Sequence, residues 1–172
     1  MTIRKLDDLF LTELQETYAA EKLIVAPLSK LAKTEADSST GYIITRCHHR
    51  IDRLEQIFGL LGRQPDTGKP PRMGGLLAEV DELIGSDPTT WGHAAAVLSV
   101  VETVRHYLMA RYVTLASWAN ELGMPQVSKL IAATLEEDRT GSGPPVATER
   151  NQDNPKGISL GERLTAMFDR KR

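Results

Sequence analysis

The chain is short of several things, and each shortage excludes a class of protein. A single cysteine, Cys47, stands among 172 residues, so no internal disulfide framework holds the fold, and a reducing compartment suits it. No apolar run approaches the roughly 18 residues that a membrane span needs. The opening residues Met1 to Asp8 lack the apolar segment of a signal peptide, so the expected location is cytoplasmic. Neither sign of charge dominates. The formal net charge is −2, both signs are spread along the chain, and no basic surface points to nucleic acid as a partner. Strand-type alternation is missing throughout, which excludes a β-sandwich or an α/β architecture.

What the chain does have is helical periodicity. Phe10, Leu14, Thr17, Tyr18, Val25 and Leu28 form one stripe of a helix expected from Leu6 to about Leu31, started by Thr2 or Asp7 and kinked at Pro27. Glu21 falls on the same stripe beside Ile24. A carboxylate facing a core is costly unless it is paired or bound to metal, so Glu21 is the residue around which function should be sought. After a loop over 34–41, a second helix is expected from Tyr42 to Leu61, with Ile44, Cys47, Ile51, Leu54, Phe58 and Leu61 on one face and Gly62 as its stop.

Gly62 to Gly75 reads as a long crossover, followed by a short helix from Leu76 to Ile84. Asp87-Pro88 should open a third main helix, running to Leu122 with Val97, Val101, Val104, Leu108, Tyr112, Leu115 and Trp118 inward. A fourth, Gln126 to Arg139, carries Val127, Leu130, Ile131, Thr134 and Leu135. The long connection between the second and third main helices allows the ferritin-like order of helices. The expected fold class is therefore all-α: a ferritin-like four-helix bundle with a long crossover, one short extra helix and a C-terminal tail.

Residues 1–139 form the bundle in this reading, 140–157 a polar Gly/Pro-punctuated linker, and 158–172 a short amphipathic segment. In that segment Leu160, Leu164, Met167 and Phe168 make one face, flanked by Arg163, Arg170, Lys171 and Arg172. It is a candidate docking element for its own bundle, a symmetry mate, another protein or an anionic membrane surface.

The words Leu9-Phe10, Tyr18-Ala-Ala-Glu21-Lys22, Arg53-Leu-Glu-Gln-Ile-Phe58 and His106-Tyr107 with Tyr112 and Thr114-Leu115 resemble the ferritin-like stress-protein family typified by YciE and YciF, over about residues 5–139. The resemblance implies a ferritin-like domain, a homodimer, an association with bacterial stress and a metal-binding label. A ferritin-like di-metal centre takes about four carboxylates and two histidines. Here the family's H-L-E-E-T is Ile43-Ile44-Thr45-Arg46-Cys47, and its E-H-Y-E is Arg105-His106-Tyr107-Leu108. What is left for metal is Glu21, Glu137, Asp138 and His48 or His49, an incomplete set. Arg46 or Arg105 is expected to replace metal by pairing with Glu21 or Glu137.

The remaining polar groups fit structure better than chemistry. Adjacent His48 and His49 point about 100° apart and do not readily share one ion. His106 with Glu102 makes an i, i+4 pair, and Cys47 sits on an apolar face as a packed thiol. The leading expectation is a non-catalytic, stress-associated structural or interaction protein with a degenerate di-metal site and no resident cofactor. One alternative is a di-iron oxidase or iron-handling protein using iron or another divalent metal. Another is a cargo-like protein docked by its C-terminal peptide, since the layout is similar to cargo proteins of encapsulin shells.

Overall fold

The computed structural model describes residues 5–32, 39–66, 68, 70, 73–87 and 91–140. Five α-helices follow in chain order: α1 Leu6–Leu31, α2 Ser39–Leu60, α3 Gly74–Ile84, α4 Trp91–Glu121 and α5 Pro125–Thr140. No strand occurs among the described residues. The segment containing Leu160, Leu164, Met167 and Phe168 lies outside them, as do Thr2 and the Pro88 end of the α4 capping expectation.

The helices form because each has one apolar stripe that water rejects, and they assemble by burying those stripes together. α1 is the central element, packing against α2, α3 and α4, while α5 closes the bundle against α4 and α2. On α1, Phe10, Leu14, Ile24, Leu28 and Leu31 are completely buried, and Val25 lies only at the edge. From α2 come Cys47, Ile51, Leu54, Ile57 and Phe58, and from α4 Val101, Leu108, Tyr112 and Leu115. Tyr18 meets the Phe58 ring edge-on with centroids 5.6 Å apart, locking α1 to α2.

Glycine stops two helices in the same way. Gly62 at φ 61° and Gly123 at φ 66° take the left-handed conformation that L side chains avoid. The next residue in each case donates back into the last turn: Arg63 N–H to the Phe58 carbonyl at 3.0 Å and Met124 N–H to the Ala119 carbonyl at 2.9 Å. Pro125 then starts α5 at the position where a missing N–H costs nothing.

Several helix ends and caps differ from the sequence reading. Residue Lys5 occupies the N-cap of α1 without a side-chain bond, so Asp7 is not the cap; it lies in the first turn with Asp8, where a carboxylate favours the positive helix end. α2 begins at Ser39, three residues before Tyr42, because packing of Ile43 and Ile44 on the core overrides the loop-like composition. α3 begins at Gly74, behind the fully buried Met73 that anchors it. α1 continues through Pro27 to Leu31.

Candidate functional site

Glu21 is completely buried in the centre of the bundle, and its carboxylate is held from two neighbouring helices. Arg50 of α2 donates from Nε to Oε1 at 2.5 Å and from Nη2 to Oε2 at 3.2 Å, a forked pairing that fits the carboxylate plane. The Tyr112 hydroxyl of α4 donates to Oε1 at 3.2 Å. Arg50 Nη2 also lies 3.1 Å from Cys47 Sγ. All four groups are shielded from water. Burial weighs against the charged guanidinium, but the Glu21 carboxylate outweighs it and holds Arg50 above the ordinary arginine value. Burial pushes the Cys47 thiol up to about 12, with the Glu21 charge adding to the shift. Such a thiol is inert as a nucleophile. Burial also raises the Tyr112 phenol well above its usual value, again helped by Glu21.

A second buried guanidinium lies further toward the N-terminal end of α1. Arg111 of α4 donates to Thr17 Oγ1 at 3.1 Å, to the Tyr107 hydroxyl at 3.0 Å and to Glu16 Oε2 at 3.0 Å. Its Nε is 3.2 Å from Glu13 Oε1. Thr17 also returns its own hydroxyl proton to the Glu13 carbonyl at 2.7 Å, which leaves its oxygen aimed at Arg111.

The other candidate residues are spread over the α2–α5 and α4–α5 seams. Glu137 accepts from His49 Nδ1 at 3.0 Å and from Arg53 Nη1 at 2.5 Å, while Arg46 donates to its backbone carbonyl. Asp138 accepts from Arg105 Nη1 at 2.7 Å, and Arg105 also binds Glu102. His48 is exposed and its Nδ1 contacts the Ile44 carbonyl of its own turn at 2.9 Å. His106 makes the equivalent contact with the Glu102 carbonyl.

The arginine at Glu21 is thus Arg50, and neither Arg46 nor Arg105. Arg46 turns to the end of α5, and Arg105 to Asp138, because each lies on a helix face directed at α5. Glu21, Glu137, Asp138 and His48 do not converge. Among the described residues no three His, Cys, Asp or Glu side chains are placed to hold an ion. Both Glu21 oxygens are already engaged by a fixed cation, whereas a di-metal centre needs carboxylates free to bridge two ions roughly 3.5–4 Å apart. These residues do not fit such a centre. Arg50 and Arg111 were both readable as exceptions on apolar stripes: Arg50 stands between Cys47 and Leu54, and Arg111 between Leu108 and Leu115, at spacings of three and four.

Burial pushes the Glu137 carboxyl up, but hydrogen bonds from His49 and Arg53 outweigh it and hold it below the ordinary carboxylate value. A carboxyl with a depressed folded-state value binds fewer protons folded than unfolded, so its contribution is present above the unfolded value and fades as pH falls through the folded one. Glu137→Gln is expected to lower unfolding free energy by about 1–2 kcal/mol near neutrality. Urea denaturation at about pH 7 and about pH 3 checks this: the gap between wild type and variant should close at the acid end. A gap of unchanged size would show that the charge of Glu137 is not what fastens α5 to α2.

The fold and its interior define a ferritin-like helical bundle whose central carboxylate is paired with arginine. The chain belongs to the family described as domain of unknown function DUF892, whose model matches residues 5–143. Protein YciF of Escherichia coli (strain K12) is 31% identical over 144 residues, covering 81% of this chain and 87% of that protein. The crystal structure of the E. coli stress protein YciF superimposes with a TM-score of 0.74 at 30% identity, covering 80% of this chain and 90% of the other. YcfI of Rhodopseudomonas palustris gives 0.73 at 31% identity with the same coverage. No helix among the described residues is long and apolar enough to cross a membrane.

Proposed function

We propose that this chain is a stress-associated, non-catalytic ferritin-like protein acting as a structural or interaction element, with a degenerate di-metal site. The observation that carries the reading is the forked Arg50 pairing on the Glu21 carboxylate, which fills the coordination of the one fully buried acidic group among the described residues. The names of the relatives support the rest: one is called a stress protein, and the other carries the provisional label of a structural protein. That Glu137, Asp138 and His48 are each engaged by partners of their own, away from Glu21, supports the degenerate-site part of the reading. The unit of action in this proposal is a homodimer, as the resemblance implies, working in the cytoplasm, as the single cysteine suggests.

Elemental analysis of the full chain purified and reconstituted with ferrous iron or manganese tests the metal part. The expected result is a substoichiometric amount that does not change in Glu21→Ala. About two irons per chain, lost in Glu21→Ala, would establish the iron-handling alternative instead.

A further inference from the structure

α1 carries arginine-paired carboxylates at two levels, the half-buried Glu13 with Glu16 and then the fully buried Glu21, about 12 Å apart along the axis by helical rise for the outermost pair. Each level is met by a buried arginine from a different helix: Arg111 from α4 at the first, Arg50 from α2 at the second. We infer that these two guanidinium groups are built-in cations that cross-brace α1 to α4 and to α2, Arg50 at the level of the degenerate site and Arg111 at a separate level beside it, and that the bundle's cohesion is therefore indifferent to metal. The inference rests on the degenerate-site reading and adds to it a positive role for Arg50 and Arg111.

The geometry at Arg50 is that of a cation at a coordination point. Its Nη2 lies 3.2 Å from Glu21 Oε2 and 3.1 Å from Cys47 Sγ, so one nitrogen stands where the two donors converge. An ion there would need the oxygen at about 2.0–2.2 Å and a thiolate sulfur at about 2.3 Å, which the guanidinium prevents. The Tyr112 hydroxyl completes the shell from α4, so one carboxylate of α1 is joined to both flanking helices. At Arg111 the shell is Glu13, Glu16, Thr17 and Tyr107, and the ring of Tyr107 lies 5.4 Å from the guanidinium carbon. Arginine keeps its charge at any pH the fold meets, and it cannot be removed by a chelator. A brace of this kind persists where a metal-held one would be lost.

The test compares thermal unfolding of the full-length wild type, Arg50→Lys, Arg50→Met, Arg111→Lys and Arg111→Met, each in EDTA and in excess zinc or manganese. The wild-type midpoint should agree between the two media. In EDTA, Arg50→Met should unfold roughly 10 °C lower, since a buried pair loses one partner, and Arg50→Lys should recover part of that loss through its charge. The same order, Arg above Lys above Met, is expected at position 111. An Arg50→Met chain that fails to fold while Arg50→Lys folds counts with the expected order. If neither folds, the wild-type response to metal and the order at position 111 decide.

Methionine equal to or better than lysine at both positions would mean that the arginines act by filling space, and would overturn the inference while leaving the degenerate-site reading intact. A wild-type midpoint raised by several degrees in metal, together with two bound ions, would overturn both.

Discussion

Glu21→Leu should lose about 3–5 kcal/mol of unfolding free energy, which in a chain of this size lowers the thermal midpoint by roughly 10 °C or more. The leucine itself fits a stripe formed by Leu14, Ile24 and Leu28, so the loss does not come from the new side chain. It comes from Arg50, whose side chain is only 5% exposed and would keep its charge without an anion in reach. The Tyr112 hydroxyl would lose its acceptor at the same time. Urea denaturation, with the slope checked for constancy, measures the change.

The companion variant separates the worth of the pair from the damage of breaking it. Glu21→Leu with Arg50→Met removes both charges and leaves apolar groups of similar volume, an exchange that is often neutral or stabilising. The double variant should recover most of the loss and fall short of wild type by about 1–2 kcal/mol, the share of the unpaired Tyr112 hydroxyl. Adding Tyr112→Phe should then close the gap. A Glu21→Leu single variant as stable as wild type would show that the interior pair does not hold the bundle together.

The helical periodicity made most of the architecture legible, because the stripes on α1, α2, α4 and α5 are long and the stops at Gly62 and Gly123 depend on local backbone chemistry. Helix starts were less legible. Ser39-Thr40-Gly41 has the composition of a loop, and only the tertiary packing of the residues after it draws it into α2. At the candidate site, the anomaly of Glu21 on an apolar stripe is plain, but the broken family pattern points to Arg46 and Arg105 as its partners. Helix geometry selects differently. Arg46 and Arg53 flank the face turned to α5, while Arg50 shares the inward stripe with Cys47 and Leu54. Arg50 and Arg111 carry the same mark as Glu21, a charged side chain at a core spacing.

Leu108→Glu should be the converse experiment, placing a carboxyl where the family resemblance has glutamate and this chain has a completely buried leucine. Arg50 already pairs with Glu21 and Arg111 with Glu13 and Glu16, so these two buried cations are both engaged. An unpaired buried glutamate takes a folded-state pKa of about 8–9 against about 4.3 unfolded. The folded state then binds more protons than the unfolded one between those values, so stability must fall as pH rises through that window. The variant is expected to lose about 4 kcal/mol near pH 7.5 from this effect, and only the packing loss of the leucine near pH 4. Unfolding in urea across that range reads the slope, which wild type lacks in this direction at position 108. A Leu108→Glu chain that is equally stable at both ends, or that gains stability when given ferrous iron, would mean that the interior still has the charge balance of a metal centre and that Arg50 can be displaced from Glu21.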